Sequence, residues 1–339
     1  MKIEAAGSAA KTENFMTYEV ERDILVGRGI ATIAAWRGGE ILWDHVTPLK
    51  MDRTKEPLAV GDGKAFTAWA DSKKGPTRYE ARDLVTGELL WHNELPIRAD
   101  RGGIALTHMG LAVAGYHGKE ERNFVAFLNP ENGEKQGEFY CKGVKDVAGV
   151  GDSVYAWGPY GVFNLEGDEF HQLNDERVVR ATPGSEHLFV VSQDRTRKTT
   201  LLRRWNLRGE IEGSVVLATD GNYGGRHLVL DENRILVGMD PGTGPSLIDM
   251  ERETLLWNKP QDGRTLLSFW RLGHRIVALC NDDTGGRNVQ CWDIDTGEHS
   301  RCDGLGYIGW AAVVGEQLVL GQGEKGIQAY NVTFLEPAN

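Results

Sequence analysis

Six basic residues stand at similar points of a repeated pattern in this chain, each shortly before a short apolar run. We call them the basic rim: Arg53, Arg101, Lys145, Arg177, Arg226 and Arg264. An arginine presents a planar fork of donors to a carboxylate or a phosphate. The formal net charge of the chain is −11, so bases gathered at one place would create a local positive potential against an acidic background. The set predicts recognition of an anion, such as an acidic peptide, a carboxylate or a phosphate.

The same bases have alternative partners close by in the sequence. These neighbouring acids are Asp52, Asp100, Asp146, Glu176 and Asp262. Surface ion pairs of this kind contribute little to stability. The two interpretations differ in position, because local pairs would lie on the outer perimeter, whereas an anion site needs the bases to converge at one mouth of a channel.

No linear motif for catalysis, metal binding or phosphate binding occurs in the chain. The nine histidines are scattered, and neither HExxH, GxSxG nor a P-loop is present. The acidic glycine-containing stretches 220–225 and 281–286 do not complete a calcium-binding loop. The sequence therefore predicts no catalytic residue, no metal and no cofactor. It leaves the question of an enzyme open, because a catalytic site can be assembled from residues that are far apart in the sequence.

A repeat of about 40 residues must position whatever site exists. Aspartate or asparagine ends a short apolar run at seven places, 35 to 46 residues apart: Asp83, Asn129, Asn164, Asn206, Asp249, Asp293 and Asn331. Such a period is typical of a β-propeller, in which each repeat is one four-stranded sheet. Eight second strands can be counted, from 23–27 to 317–321. We predict an all-β chain, a single closed propeller of eight four-stranded blades without long helices, with seven blades as the alternative.

The two ends of the chain differ from the repeats. No glycine turn follows Asn331, so the last blade lacks an outer strand. We predict that residues 13–339 form the propeller and that the N-terminal segment 1–12 supplies this strand, which would remove an exposed sheet edge. The alternative is that residues 1–12 are a loose tail.

One blade carries a recognisable motif. The stretch Ala81-Arg-Asp-Leu-Val-Thr-Gly-Glu-Leu-Leu-Trp91 resembles the repeat of the quinoprotein (PQQ-like) propellers, Ala-x-Asp-x-x-x-Gly-Lys-x-x-Trp, and overlaps with WD40-like propellers. Aspartate can cap the turn and tryptophan can bury a large surface between blades. We therefore assign structural docking roles to six residues: Trp43, Trp91, Trp257, Asp83, Asp249 and Asp293.

The resemblance implies a fold and no redox chemistry. The best-known quinoprotein dehydrogenases hold a quinone and calcium under a disulfide of adjacent cysteines, and no two of the four cysteines here are adjacent. We expect free buried thiols, with a Cys280–Cys291 bridge as the alternative.

These observations favour a non-catalytic interaction module or scaffold. It would bind a partner protein or an acidic peptide on the basic rim. The alternatives are a small lyase or hydrolase, or a binder of an anionic small molecule in the central channel. The acidic net charge disfavours nucleic acid and membrane as partners. The first residues lack the apolar core of a secretory signal, which predicts a cytoplasmic protein.

Overall fold

A computed structural model of the chain describes residues 2–5, 17–29, 32–46, 57–70, 76–96, 103–117, 122–166, 169–172, 176–194, 196, 198–218, 223–239, 244–259, 265–281, 284, 286–302, 305–322 and 326–333. These residues form eight antiparallel sheets of four strands each, and no helix occurs among them. Accordingly, nothing in the described part of the chain has the helical length and apolar character needed to cross a membrane. The prediction of an all-β propeller with eight blades is confirmed.

The strands follow the chain around the ring. The first strand, β1 (Lys2–Ala5), belongs to blade 8. Blade 1 contains β2 (Thr17–Glu21), β3 (Ile24–Arg28), β4 (Thr32–Arg37) and β5 (Glu40–Val46). Blade 2 contains β6 (Leu58–Gly61), β7 (Lys64–Ala70), β8 (Thr77–Asp83) and β9 (Leu89–Leu95). Blade 3 contains β10 (Ile104–Thr107), β11 (Gly110–His117), β12 (Arg122–Leu128) and β13 (Lys135–Tyr140), and blade 4 contains β14 (Asp146–Val150), β15 (Ser153–Gly158), β16 (Gly161–Asn164) and β17 (Glu169–Gln172). Blade 5 contains β18 (Glu176–Pro183), β19 (Leu188–Asp194), β20 (Thr200–Trp205) and β21 (Ile211–Ala218), and blade 6 contains β22 (Tyr223–Val229), β23 (Arg234–Met239), β24 (Pro245–Asp249) and β25 (Thr254–Asn258). Blade 7 contains β26 (Thr265–Leu272), β27 (Arg275–Asn281), β28 (Arg287–Asp293) and β29 (His299–Cys302). Blade 8 contains β30 (Trp310–Val314), β31 (Gln317–Gly321) and β32 (Ile327–Thr333), with β1 at its outer edge.

The hydrophobic core is divided into eight apolar clusters. Each cluster joins two neighbouring blades, and one of them joins blade 8 to blade 1. A single sheet buries one face against each neighbour, so no blade has a core of its own. The ring is thus held together by contacts between blades.

Blade 8 contains both ends of the chain. Strand β1 pairs antiparallel with β32, with Ile3 opposite Val332 and Glu4 opposite Asn331. The outer position of this blade is therefore filled by the first strand of the chain. Asn331 lies within β32 and accepts a hydrogen bond from Gln317 Nε2 at 3.1 Å, so it does not cap a turn as the other six repeat residues do.

Side-chain caps explain the repeated aspartate. Asp83 Oδ1 accepts backbone N–H bonds from Val85 at 3.0 Å and Thr86 at 2.7 Å. The turn closes at Gly87, whose φ of 73° is the left-handed value that glycine adopts without strain. The corresponding side-chain oxygens of five further repeats cap their turns in the same way: Asn129, Asn164, Asn206, Asp249 and Asp293.

The motif tryptophans join each blade to the next. Trp91 is only 7% exposed, and its Nε1 donates to Pro130 O at 2.8 Å in blade 3. A Cβ added to Gly133 would lie 2.4 Å from the Trp91 ring, so the turn glycine also makes room for the ring. Trp43 and Trp257 make equivalent bonds to the following blade, to Leu84 O and Ile294 O, both at 2.9 Å.

Two faces of the ring differ in their connections. The first strand of every blade lines the central channel, and all these strands begin at one face, which we call the loop face. The opposite face, the turn face, carries the tight capped turns. Much of the connecting chain at the loop face lies outside the described residues.

The cysteines of the chain are free. Cys141, Cys280 and Cys291 are buried, and Cys302 is half-buried. The Cys280–Cys291 bridge that the sequence left open is not formed.

Candidate functional site

The structure describes half of the basic rim. Arg53, Arg101 and Arg264 lie outside the described residues. Lys145 is exposed directly before β14, and its backbone N–H donates to Trp157 O at 2.8 Å. Arg177 is exposed as the second residue of β18. These two bases therefore lie at the mouth of the channel, where the first strands of blades 4 and 5 begin.

The sequence suggested that Arg177 pairs with the neighbouring acid Glu176, but Glu176 has other partners. Glu176 is instead bound by Arg203, whose Nη2 donates to Oε1 at 2.7 Å. Ser192 Oγ donates to the other carboxylate oxygen at 2.6 Å. The carboxylate of Glu176 is thus engaged by the second and third strands of its own blade.

Arg226 lies deeper than the sequence suggested. We expected it in the loop that precedes the first strand of blade 6, but it lies within β22, opposite Gly238 of β23. The register between these strands is irregular between Tyr223 and Arg226. The strand therefore starts earlier than its apolar run indicates, and Arg226 lies inside the channel instead of at its mouth.

Two neighbouring blades have the same irregularity at the same height. The register shifts between Val178 and Arg180 in β18 and between Leu266 and Ser268 in β26. A β-bulge redirects the side chain beside it, and bulges are frequent next to binding sites. The residues directly after the three bulges are Arg180, Arg226 and Ser268.

These three residues occupy one level of the channel. Their partners across the sheet are Val191, Gly238 and Leu279, each three residues beyond the first apolar residue of the second strand of its blade. In blades 1, 4 and 8, the first-strand residues opposite the same position of the second strand are Tyr18, Asp146 and Trp310. We call the whole set the arginine level: Tyr18, Asp146, Arg180, Arg226, Ser268 and Trp310.

Contacts join the members of the arginine level around the channel. The Tyr18 ring lies 5.7 Å from the Trp310 ring and 6.3 Å from the Trp270 ring, between centroids. Ser268 and Trp270 are hydrogen-bonded to the Tyr18 hydroxyl. Burial raises the pKa of Tyr18 well above its usual range, so this hydroxyl keeps its proton at all ordinary pH values.

The charges at this level are arranged unequally. Burial, followed by the charge of Arg180, lowers the pKa of Arg226, while Tyr18 raises it. Burial also lowers the pKa of Arg180, which Asp146 opposes. Both arginines are nevertheless exposed to solvent, as expected for residues that line an open channel. Asp146 thus acts on Arg180, and Arg226 is acted on by the like charge of Arg180.

His227 follows Arg226 in β22, and the charge of Arg180 acts on it. Its Nδ1 is 2.9 Å from Thr182 Oγ1. Burial and then Arg180 lower the pKa of His227 well below its usual value. The imidazole is therefore neutral, and adds no positive charge to the arginine level.

Glu19 is the acid of the channel with the most altered acidity. It lies one residue along β2 from Tyr18, opposite Val26. Burial raises the pKa of its carboxyl to about 7, although the side chain is accessible to solvent. A carboxyl group that titrates near neutral pH is suited to proton transfer.

A second cluster of polar groups lies on the turn face between blades 5 and 6. His187 Nδ1 is 2.8 Å from Glu232 Oε2, and its Nε2 is 3.0 Å from Glu212 Oε2. Both ring nitrogens of His187 thus lie within hydrogen-bonding distance of a carboxylate. An open pocket of about 500 Å³ lies beside it, lined in part by Asn206 and Arg208. Across the described residues, no group of three or more His, Cys, Asp or Glu could hold a metal ion.

A third cluster is buried between blades 1 and 2. The Arg28 guanidinium lies 4.1 Å from the centre of the Trp69 ring and donates to Ala68 O at 2.6 Å. Trp69 Nε1 donates to Glu80 Oε1 at 2.8 Å, and Arg82 Nε donates to the same atom at 3.2 Å. These groups bind one another across the blade boundary, which indicates a structural role.

Sequence reasoning missed most of the arginine level. Arg180, Tyr18 and Ser268 lie on first strands, whose sequences are too irregular to align with one another. The available signal was the second strand, because its apolar run is regular in every blade and fixes the level of its partner. Counting back from those runs would have placed these residues together.

Comparisons with known proteins show the fold. No protein-family model matches the sequence, and no curated protein matches it. Among solved structures, BamB from Moraxella catarrhalis has a TM-score of 0.66 at 12% identity, over 98% of this chain and 100% of that chain. The computationally designed Ika8 protein has a TM-score of 0.68 at 14% identity, over 97% and 99%. The quinohemoprotein alcohol dehydrogenase ADHIIG from Pseudomonas putida has a TM-score of 0.58 at 13% identity, over 99% and 78%. The resemblance to PQQ-like propellers is therefore confirmed for the fold.

Proposed function

We propose that this propeller is a non-catalytic binding module that holds an acidic segment of a partner protein at its loop face. One observation carries the proposal. Lys145 and Arg177 are exposed where neighbouring first strands begin, and Arg180 and Arg226 lie further down the channel in blades 5 and 6. Bases thus continue from the mouth into the channel of a protein whose net charge is −11. Such a path favours a flexible anionic chain that enters from the loop face.

The residue types support binding in preference to proton transfer. Arginine stays protonated at all physiological pH values, so it neither accepts nor releases a proton in a reaction. Its planar donors pair well with carboxylates. BamB, a structure with this fold, supports the proposal at the level of architecture only.

A glutamate-rich peptide carrying a fluorophore tests the proposal. We expect binding in 50 mM salt that weakens in 500 mM salt, because the Debye length falls with salt from about 10 Å at 0.1 M to about 3 Å at 1 M. In the variant Lys145→Glu/Arg177→Glu, we expect the dissociation constant to rise by about tenfold or more, equivalent to about 1.4 kcal/mol.

The matched control reverses two exposed arginines of the turn face, Arg208→Glu/Arg252→Glu, and makes the same change in net charge. We expect this control to bind like the parent protein apart from a small general loss. Equal losses in the two variants would show that the peptide senses net charge and not the mouth, and would overturn the proposal. Circular dichroism of each variant checks that the fold is kept.

A small channel enzyme, a lyase or hydrolase, is a second candidate. Glu19 favours it, because burial raises the pKa of this channel carboxyl to about 7 and general acid–base catalysis works best near that value. A panel of chromogenic esters and glycosides would reveal turnover. Activity that survives in Glu19→Gln would remove this residue from the candidate mechanism.

A further inference from the structure

An aromatic wall lines the channel across from the exposed bases of the mouth. It consists of Tyr18 in blade 1 and Trp270 in blade 7, with Trp310 of blade 8 buried behind Tyr18. Lys145 and Arg177 stand at the first strands of blades 4 and 5. In a ring of eight blades these two lie opposite blades 8 and 1. A segment held by the bases at the mouth therefore enters the channel facing this wall.

Contacts within the protein hold the rings of the wall in place. The Tyr18 ring is tilted by 33° to both the Trp270 and the Trp310 ring, at the centroid distances of ordinary aromatic pairs. Ser268 and Trp270 are hydrogen-bonded to the Tyr18 hydroxyl. Tyr18 and Trp270 nevertheless remain partly exposed. The wall thus offers a preordered apolar surface, which lowers the entropy cost of packing a ligand against it.

The wall continues below the arginine level. First strands run from the loop face toward the turn face, so Trp270, two residues after Ser268 in β26, lies deeper in the channel. Glu19 lies one residue deeper than Tyr18 in β2, and its carboxyl is negatively charged above about pH 7. A negative charge at this depth disfavours another acidic residue beside it. We therefore expect the part of a bound segment that reaches the wall to be apolar.

We propose that the acidic segment carries an aromatic residue, which anchors it in the channel by packing against Tyr18 and Trp270. Aromatic rings that pack edge-to-face or offset attract one another beyond the effect of burial alone. The inference rests on the proposed function and deepens it, because it defines the tip of the segment. The bases at the mouth would hold the acidic residues, and the wall would select the residue that goes deepest.

Labelled peptides that differ at one residue test the anchor. Each carries a run of glutamates with phenylalanine, leucine or alanine at one end, is made in both directions, and has both termini blocked. In 50 mM salt at pH 8 we expect phenylalanine to bind about tenfold more tightly than alanine, equivalent to about 1.4 kcal/mol. Leucine should lie between them. Equal affinities with phenylalanine and alanine, or leucine as tight as phenylalanine, would overturn the proposal.

Substitution of the wall locates the contact. In Trp270→Leu we expect the advantage of phenylalanine over alanine to fall to about threefold or less, because this double-mutant cycle removes the aromatic pair. The matched control Tyr140→Leu removes an exposed aromatic ring at the end of the outer strand β13 and should keep the full advantage. If Trp270→Leu does not fold, Tyr18→Leu replaces it. An undiminished advantage of phenylalanine in these wall variants would overturn the assignment.

A photoreactive benzophenone in place of the phenyl ring reports the position of the tip directly. After irradiation we expect crosslinks to β2 or β26, identified by mass spectrometry of the digested protein. Crosslinks confined to the outer strands of the blades would overturn the placement in the channel.

The variant Lys145→Glu/Arg177→Glu separates this inference from the proposed function. It should weaken the phenylalanine and alanine peptides by a similar factor and leave the ratio of their affinities unchanged. If the two peptides bind the parent protein equally and the reversal weakens both, the proposed function stands and the anchor falls. If neither peptide binds the parent protein, both proposals fall.

Discussion

Single residues hold neighbouring blades together, and Trp91 is the clearest case. Its Nε1 donates to Pro130 O, and its ring is 6.2 Å from the Phe66 ring between centroids. We predict that Trp91→Ala lowers the free energy of unfolding by about 3–5 kcal/mol, as other large aromatic truncations in cores do. Asp83→Ala removes exposed turn bonds and should cost only about 1 kcal/mol. Denaturant titration of both variants measures the order, and a neutral Trp91→Ala would contradict the docking role.

Two glycines with the same backbone conformation separate strain from contact. Gly133 has a φ of 73°, and its added Cβ would meet the Trp91 ring at 2.4 Å. Gly63 has a φ of 71° and nothing within 4 Å of an added Cβ. Gly63→Ala should cost only backbone strain, about 1–2 kcal/mol. Gly133→Ala should cost more because the ring must move, and equal unfolding free energies of the two variants would show that the contact is unimportant.

Glu19 gives the stability of the protein a defined pH dependence. Its folded pKa is raised from 4.5 to about 7, so in this window the folded state holds a proton that the unfolded state has released. Stability from this group is therefore full below about pH 4.5 and falls as the pH rises toward 7. Glu19→Gln should be nearly neutral at pH 5 and stabilising at pH 8, as urea titrations at both values would show. An equal effect at the two pH values would contradict the raised pKa.

Bulges in three adjacent channel strands decide which side chains the channel receives. In β18, β22 and β26 the irregularity falls at one level. The number of blades and their second strands could be predicted from sequence, because those strands are uninterrupted apolar runs that recur once in each repeat. The position of Arg226 could not, since a bulge breaks the alternation by which residues are assigned to a face. The bulge in β18 has the same effect, so sequence reasoning did not identify Arg180, which lies three residues after Arg177.

The edge strand β1 is expected to protect β32. Without residues 1–5, β32 would present unpaired backbone groups to solvent, and open edges of this kind promote association between chains. We predict a lower melting temperature and oligomers in size-exclusion chromatography for this deletion. The double substitution Lys2→Ala/Glu4→Ala, which keeps the backbone of β1, is the control and should change neither property. A monomeric deletion with the parent melting temperature would show that β1 is dispensable.

At the scale of the whole molecule, apolar clusters occur all around the ring, whereas the described bases of the channel do not. Eight clusters join eight pairs of blades, so no single boundary dominates. The described bases of the mouth and the arginine level lie in blades 4 to 6. An acidic surface around a basic opening would guide an anion to that side of the channel.

The pairing of β1 with β32 has a consequence for synthesis on the ribosome. Lys2 is made more than 300 residues before its partner Thr333. At translation rates of about 5–20 residues per second, the first strand waits roughly 15–60 s for its partner. The nascent chain spends that time as an open arc, with blade 8 incomplete and the apolar cluster between blades 8 and 1 unformed. The ring therefore cannot close before β32 has been made, and the time before closure is when a chaperone would have most to protect.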